Sequence, residues 1–279
     1  ANGNPAAGFR KAATLMAVVG LVLTWLSFAG VRERMPPMAS APKDLKGDVA
    51  ALWRNQGWRA IVVATGVQAT LIGLPLASGV YYFAAVLNQP GLIGPFMGLS
   101  GVGLVLGVVL SGLLTKRYCK KRVLVASAVA NAVVLLGYLA AGPSRVPLVM
   151  ALALAANVLL GVSAPITVSM VADTSDDVER DSGRRVVGTL FATSNFAGKV
   201  GAGVCSAIVG TVLAWTHYVA GSTQQPEAAL QGISALMGVI PAVFALLYAA
   251  LIGWGYPLGR AELAQLREDL ARQRVAAAA

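Results

Sequence analysis

Seven stretches of the chain run for 18 or more mostly apolar residues, with short polar segments between them: 12–31, 61–87, 93–115, 123–141, 148–171, 187–215 and 233–256. At roughly 1.5 Å of rise per residue each is long enough to cross a hydrocarbon core of about 30 Å. The pattern predicts an all-α polytopic membrane protein, a bundle of seven transmembrane helices. The longest hydrophilic interval, 32–59, opens on Pro36, Pro37 and Pro42 and then turns periodic, with Leu45, Val49, Leu52 and Trp53 at helical spacing. Its second half reads as a short amphipathic helix lying on the membrane surface, so the interval is a linker between two helical bundles. The six spans that follow divide into three plus three, the count expected of half a transporter built from inverted repeats.

Composition agrees with this pattern. The 279 residues are 57% hydrophobic and only 12% charged, where soluble domains carry roughly 25% charged residues. The net charge of +10 would suit a nucleic-acid binder, but the cations lie in blocks between apolar runs and are not interleaved with aromatics. They fit orientation in a bilayer instead. Alternate loops on one side hold 18 basic residues, and the other side holds three, Arg10, Lys11 and Arg145. Because cytoplasmic loops retain positive charge, the first span is expected to run from outside to inside and the C-terminus to be cytoplasmic. An outside N-terminus without an initiator Met or signal peptide leads us to expect further helices upstream.

Candidate chemistry is sparse. No nucleophile triad or phosphate loop appears, so an enzyme is not expected. The only histidine, His217, falls in an outside loop, and Cys119 and Cys205 lie at different depths, too far apart for a disulfide. The segment VADTSDDVERDSGRR carries five acids, Asp173, Asp176, Asp177, Glu179 and Asp181, with Arg180, Arg184 and Arg185. A calcium loop does not fit: counted from Asp173, Val178 stands where glycine should turn the chain and Arg184 where a bidentate acid belongs. No metal site is expected in this chain, and no cofactor. Intermixed acids and arginines suit salt bridges that form in one conformer and break in another. The loop 116–122 adds five cations that serve topology and could also pair with those acids.

Lys199 is the singular feature. It lies about 20 Å along its helix from Val186, near mid-bilayer, where a charge is costly unless it has a partner. Asn195 precedes it by one turn on the same face. Lys199, Asn195, Gln68 and Asn157 are therefore the candidate cavity residues. Asn131 is a further intramembrane amide, suited to an interhelical hydrogen bond. Glycines 98, 101, 103 and 107 in one span and 198, 201, 203 and 210 in another permit close helix approach. A seven-helix photoreceptor is a contrasting class, but its lysine belongs in the last span and no intramembrane acid precedes Lys199 as counter-ion.

The stretch MVADTSDDVERDSGRRVVGTLFATSNFAGKVGAGV resembles the glycoside-pentoside-hexuronide:cation symporter family, the melibiose permease-like branch of the major facilitator superfamily. RNQGWRAIVVATGVQ with VYYFAAVL resembles that family's seventh helix, and LGRAELAQLREDL its cytoplasmic tail. The resemblance implies a major-facilitator-type bundle: 1–31 as the last helix of the N-terminal half, 32–59 as linker, 60–256 as the six-helix C-terminal half and 257–279 as cytoplasmic tail. It implies Na⁺- or H⁺-coupled symport of a sugar or glycoside in a bacterial inner membrane, with partners limited to the substrate, the bilayer and the N-terminal helices of the same polypeptide. Nucleic acid is not among them. Lys199 and Asn195 would line the sugar cavity. Asp173, Asp176, Glu179 and Arg185 would belong to a cytoplasmic gate network, while the Na⁺ site would lie in the earlier helices. Ala164 stands where the branch's galactoside carrier has an aromatic, which points away from a melibiose-like galactoside. A lysophospholipid or other amphiphile carrier is the alternative.

Overall fold

A computed structural model describes residues 5–30, 45–142, 145–183, 186–222 and 224–278. Their regular structure is helical throughout. In chain order the helices are α1 (Pro5–Gly30), α2 (Leu45–Arg54), α3 (Gln56–Tyr81), α4 (Ile93–Arg117), α5 (Lys120–Ala141), α6 (Val146–Ser182), α7 (Val187–Trp215), α8 (Glu227–Met237), α9 (Val239–Ala250) and α10 (Arg260–Ala278). Wide π turns extend α3 through Tyr82–Val86 and α9 through Leu251–Gly255. Seven helical stretches are long and apolar enough to cross a membrane, and they coincide with the seven runs of the sequence.

The chain separates into two units, the first holding α1 and the second everything from Leu45 onward. Beyond Arg10 and Lys11, α1 is almost entirely apolar. Trp25 and Phe28 are 73% and 82% exposed, as suits a helix whose surroundings are lipid or other helices. Both of its threonine hydroxyls are satisfied internally, Thr14 and Thr24 each donating to the carbonyl four residues back. In hydrocarbon, where water is absent, that local bond is the available one.

Two glycine seams organise the second unit. Along α4 and α6 a Cβ on Gly107 would collide with the Val158 carbonyl, and one on Gly161 with that of Leu104. Along α3 and α7 a Cβ on Gly201 would collide with the Gly66 carbonyl, and Thr70 Oγ1 donates to Gly201 O at 2.9 Å. With no hydrophobic drive between helices in lipid, such backbone-to-backbone packing is what holds them together. Larger side chains fill the two ends. Leu52, Ile61, Leu124, Tyr248 and Tyr256 pack at one end, and Tyr82, Phe83, Phe96, Leu135 and Tyr138 at the other.

Three expectations change. α6 does not stop at 171: it continues through the acidic segment to Ser182, 37 residues or about 55 Å. DTSDDVERDS contains no breaker, and the helix ends only where Gly183 takes φ 65° and its N–H bonds back to Glu179 O. Within α6, Pro165 lacks the N–H that would bond the Gly161 carbonyl. The last span is two helices with a break at Gly238, since Pro241 cannot donate to Met237. Finally, Leu52 of α2 is wholly buried in the bundle while Val49 and Trp53 are exposed, so the four apolar residues of 45–53 do not form one membrane-facing stripe. The Leu45 side chain lies outside the described residues.

Candidate functional site

A cleft of about 330 Å³ opens between α3, α6 and α7. One face of α7 supplies most of it: Phe191, Ser194, Asn195, Gly198, Lys199 and Ala202 recur at the three- and four-residue spacing that stacks side chains on a helix. Thr65 and Gln68 come from α3, and Thr167, Val168 and Val171 from α6. The walls are thus apolar with a few convergent polar groups, the usual make-up of a small-molecule site.

Hydrogen bonds fix the α3 and α6 sides. Gln68 Nε2 donates to Ser163 Oγ at 3.0 Å across the two helices, and Thr167 Oγ1 lies 2.6 Å from the Tyr248 hydroxyl of α9. Thr65 Oγ1 donates to Ile61 O. The α7 side is different. Among the described residues the buried Ser194 hydroxyl has no hydrogen-bond partner and Lys199 makes no ion pair. A Cβ built on Gly198 would meet nothing within 4 Å, so space remains between Asn195 and Lys199.

Of the candidate cavity residues the structure brings Lys199, Asn195 and Gln68 together. Asn157 lies apart, on the α4–α6 seam, where its Nδ2 donates to Ser100 Oγ at 3.2 Å and to Ala153 O at 2.9 Å. Its Cβ sits against Gly103, so packing aims the amide at α4 rather than into the cleft. Asn131 is buried on α5, and neither amide atom has a partner among the described residues.

The charged end of the bundle is a second constellation. Lys120 of α5 meets Asp173 of α6 at 2.6 Å. Asn55 caps α3 by accepting from Trp58 N at 2.8 Å, and its Nδ2 donates to Asp177 Oδ2 at 2.7 Å. Asp177 also takes Arg180 at 2.8 Å, and Arg180 reaches Asp181 at 3.0 Å. Lys121 Nζ donates to Tyr256 O, while the Tyr256 hydroxyl donates to Met170 O at 3.2 Å. Asp173 of the expected gate network lies within this clamp, Asp176 and Glu179 are half-buried on the same helix, and Arg185 lies outside the described residues. Asn55 and the Asp177–Arg180 pair fall outside the expected set. The four-residue spacing of Asp173 and Asp177 was their signal, visible once the segment is read as helix.

Among the described residues no group of three or more His, Cys, Asp or Glu side chains could hold a metal ion. A multi-pass helical bundle with a largely apolar cleft carrying a few polar groups, and a charged clamp at one end, is an arrangement that suits a membrane carrier. The profile of the MFS/sugar transport protein family matches residues 1–260, and the chain belongs to that family, one of transporters and not of enzymes. It is 29% identical over 254 residues to the "Putative glycoside/cation symporter YagG" of Escherichia coli (strain K12), covering 89% of this chain and 54% of that protein. It is 26% identical over 271 residues to the inner membrane symporter YicJ of the same organism, covering 96% and 58%. Against the "Putative sulfoquinovose importer" of Salmonella typhimurium the identity is 27% over 277 residues, covering 97% and 57%. The chain therefore spans little more than half the length of these relatives.

Proposed function

We propose that the chain forms part of a secondary active transporter that carries a sugar or glycoside in symport with Na⁺ or H⁺, by alternating access. The observation that carries this reading is the cleft itself: a lysine, two amides and several hydroxyls on an apolar ground, at mid-depth in a bundle of a sugar-transport family. The relatives named as symporters support the coupling to a cation. In this reading Lys199, Asn195 and Gln68 contact the substrate path. The Lys120–Asp173 and Asn55–Asp177 contacts act as an inner gate, paired while that side is closed and parted when it opens. The partition of basic residues supports a cytoplasmic location for the clamp and the C-terminus.

Uptake by the full-length protein in proteoliposomes tests the function. An imposed Na⁺ or H⁺ gradient should drive accumulation of a radiolabelled glycoside above its external concentration, and dissipating the gradient should reduce uptake to equilibration. If neither gradient accumulates any of a panel of glycosides, the reading fails. Orientation is tested separately on the half-exposed Cys119: a membrane-impermeant thiol reagent should label it in inverted vesicles and not in intact cells, with Cys205, buried, unlabelled in both.

A further inference from the structure

We infer that an outer groove between α3, α7 and α9 holds one acyl chain of an anionic phospholipid, with Arg59 as the counter-charge of its phosphate. This surface is apart from the cleft, and the inference does not depend on what the cleft carries.

The groove, of about 480 Å³, is walled by Val62 and Val63 of α3, Phe196, Val200 and Val204 of α7 and Phe244 of α9. It exists because Gly66 and Gly201 bring α3 and α7 together backbone to backbone, which leaves a furrow along the contact. At about 100° of turn per residue, its α7 positions lie on the face opposite Asn195 and Lys199. Groove and cleft are therefore back to back across the α3–α7 pair, and Val63, Phe196 and Val200 are each half or more exposed. The hydroxyls of the groove are already used. Thr193 Oγ1 accepts from the Trp58 indole at 3.2 Å and donates to Leu190 O, and Thr70 Oγ1 donates to Gly201 O. No charged residue lines it. Such a surface offers a sugar or an ion nothing in exchange for its lost hydration, and it suits a hydrocarbon chain.

The charge stands at the end of the groove. Arg59 lies three residues before Val62, four before Val63 and seven before Gly66, the spacing that places side chains on one helix face. Helical side chains lean toward the helix N-terminus, which for α3 is the basic side of the protein. Arg59 is exposed and makes no ion pair with any described residue. Two tryptophans mark its depth. Trp53 packs on Trp58 with ring centroids 5.7 Å apart, and Trp254 precedes Gly255, which abuts Ala60. Trp53 and Trp254 are both well exposed, as at a membrane–water interface. From Arg59 to Thr70 is eleven residues, about 16 Å, close to half of a hydrocarbon core of about 30 Å. A lipid whose phosphate meets Arg59 thus has groove beneath it through its own leaflet. Guanidinium binds phosphate through paired hydrogen bonds. A lipid of net negative charge gains more than a zwitterionic one, whose choline cation cancels much of the attraction.

The test uses the full-length protein in vesicles of equal parts phosphatidylglycerol and phosphatidylcholine with matched chains. A photoreactive p-benzoylphenylalanine replaces either Val63, in the groove, or Val129, an exposed residue of α5 outside it. After irradiation the adducts are identified by mass spectrometry. The ratio of phosphatidylglycerol to phosphatidylcholine adducts at position 63 should exceed that at position 129 by about fivefold at low ionic strength, the size expected of one cation at a membrane surface. Arg59→Gln should bring the two ratios together, and Arg59→Lys should keep most of the difference. Equal ratios at both positions with Arg59 intact overturn the inference and leave ordinary lipid contact. A ratio at position 63 that Arg59→Gln does not change overturns it equally. An adduct at position 63 with another stretch of the same polypeptide, or with a second copy, also overturns it and identifies what covers the groove instead.

Discussion

The charged end of the bundle and the mid-depth cleft treat their ionic groups in opposite ways. At the charged end the buried acids Asp173 and Asp177 are each met by a cation or an amide within 2.8 Å. In the cleft the one cation, Lys199, forms no ion pair with any described residue. Paired groups fix helices against one another, and their desolvation is offset by the pairing. A cation with no ion pair among the described residues adds no such link between helices, which supports the proposal that it serves what enters the cleft.

The largest expected effect comes from removing the unpaired partner. In the full-length protein Lys199→Ala should lower gradient-driven uptake by roughly a hundredfold, as for loss of a charged contact to the substrate. Membrane insertion and thermal stability should stay near wild type. Normal concentrative uptake by this variant would erase the contrast between cleft and clamp.

A matched pair on α7 sharpens the same point. Gly201→Leu forces a side chain into the Gly66 backbone, and should lower stability by about 1–3 kcal/mol or abolish insertion. Gly198→Leu, one turn earlier, meets open space and should leave the melting temperature in detergent within a few degrees of wild type while blocking uptake. Equal destabilisation by both would mean that the cleft is packed tightly.

Breaking the clamp should cost less. Asp173→Asn and Lys120→Ala should each lower stability by about 2 kcal/mol, and the double variant by less than the sum. Cysteine accessibility should shift toward the inward-open state in both. Additive effects with unchanged accessibility would reduce the pair to a topological signal. Smallest is Asn55→Ala, which removes a helix cap and one bond to Asp177, for about 1 kcal/mol by thermal denaturation.

The seven spans were legible because membrane depth is written directly in apolar run length. Lys199 was legible for the same reason, as a charge inside such a run. Which face of a helix an amide presents is not written there. Gln68 and Asn157 look alike in the sequence, yet one borders the cleft and the other bonds across the α4–α6 seam, a difference set by which neighbour each helix packs against. Ser194 gave no signal, since a serine among small residues in a span suits helix packing as readily as ligand contact. The extent of α6 was hidden for a different reason: hydropathy falls at Asp173, but helix formation does not, and the stop signal was Gly183.

That continuity makes α6 a mechanical part. Thr167, at the cleft, and Asp173, at the clamp, are six residues apart on one unbroken rod, about 9 Å. No flexible loop lies between them to absorb a displacement of Asp173. The one weak joint in the rod, the carbonyl of Gly161 left without a donor by Pro165, lies on the far side of the cleft from the clamp. Clamp, cleft wall and joint thus follow one another along a single helix, so in the proposed cycle an opening of the clamp would carry the cleft wall with it.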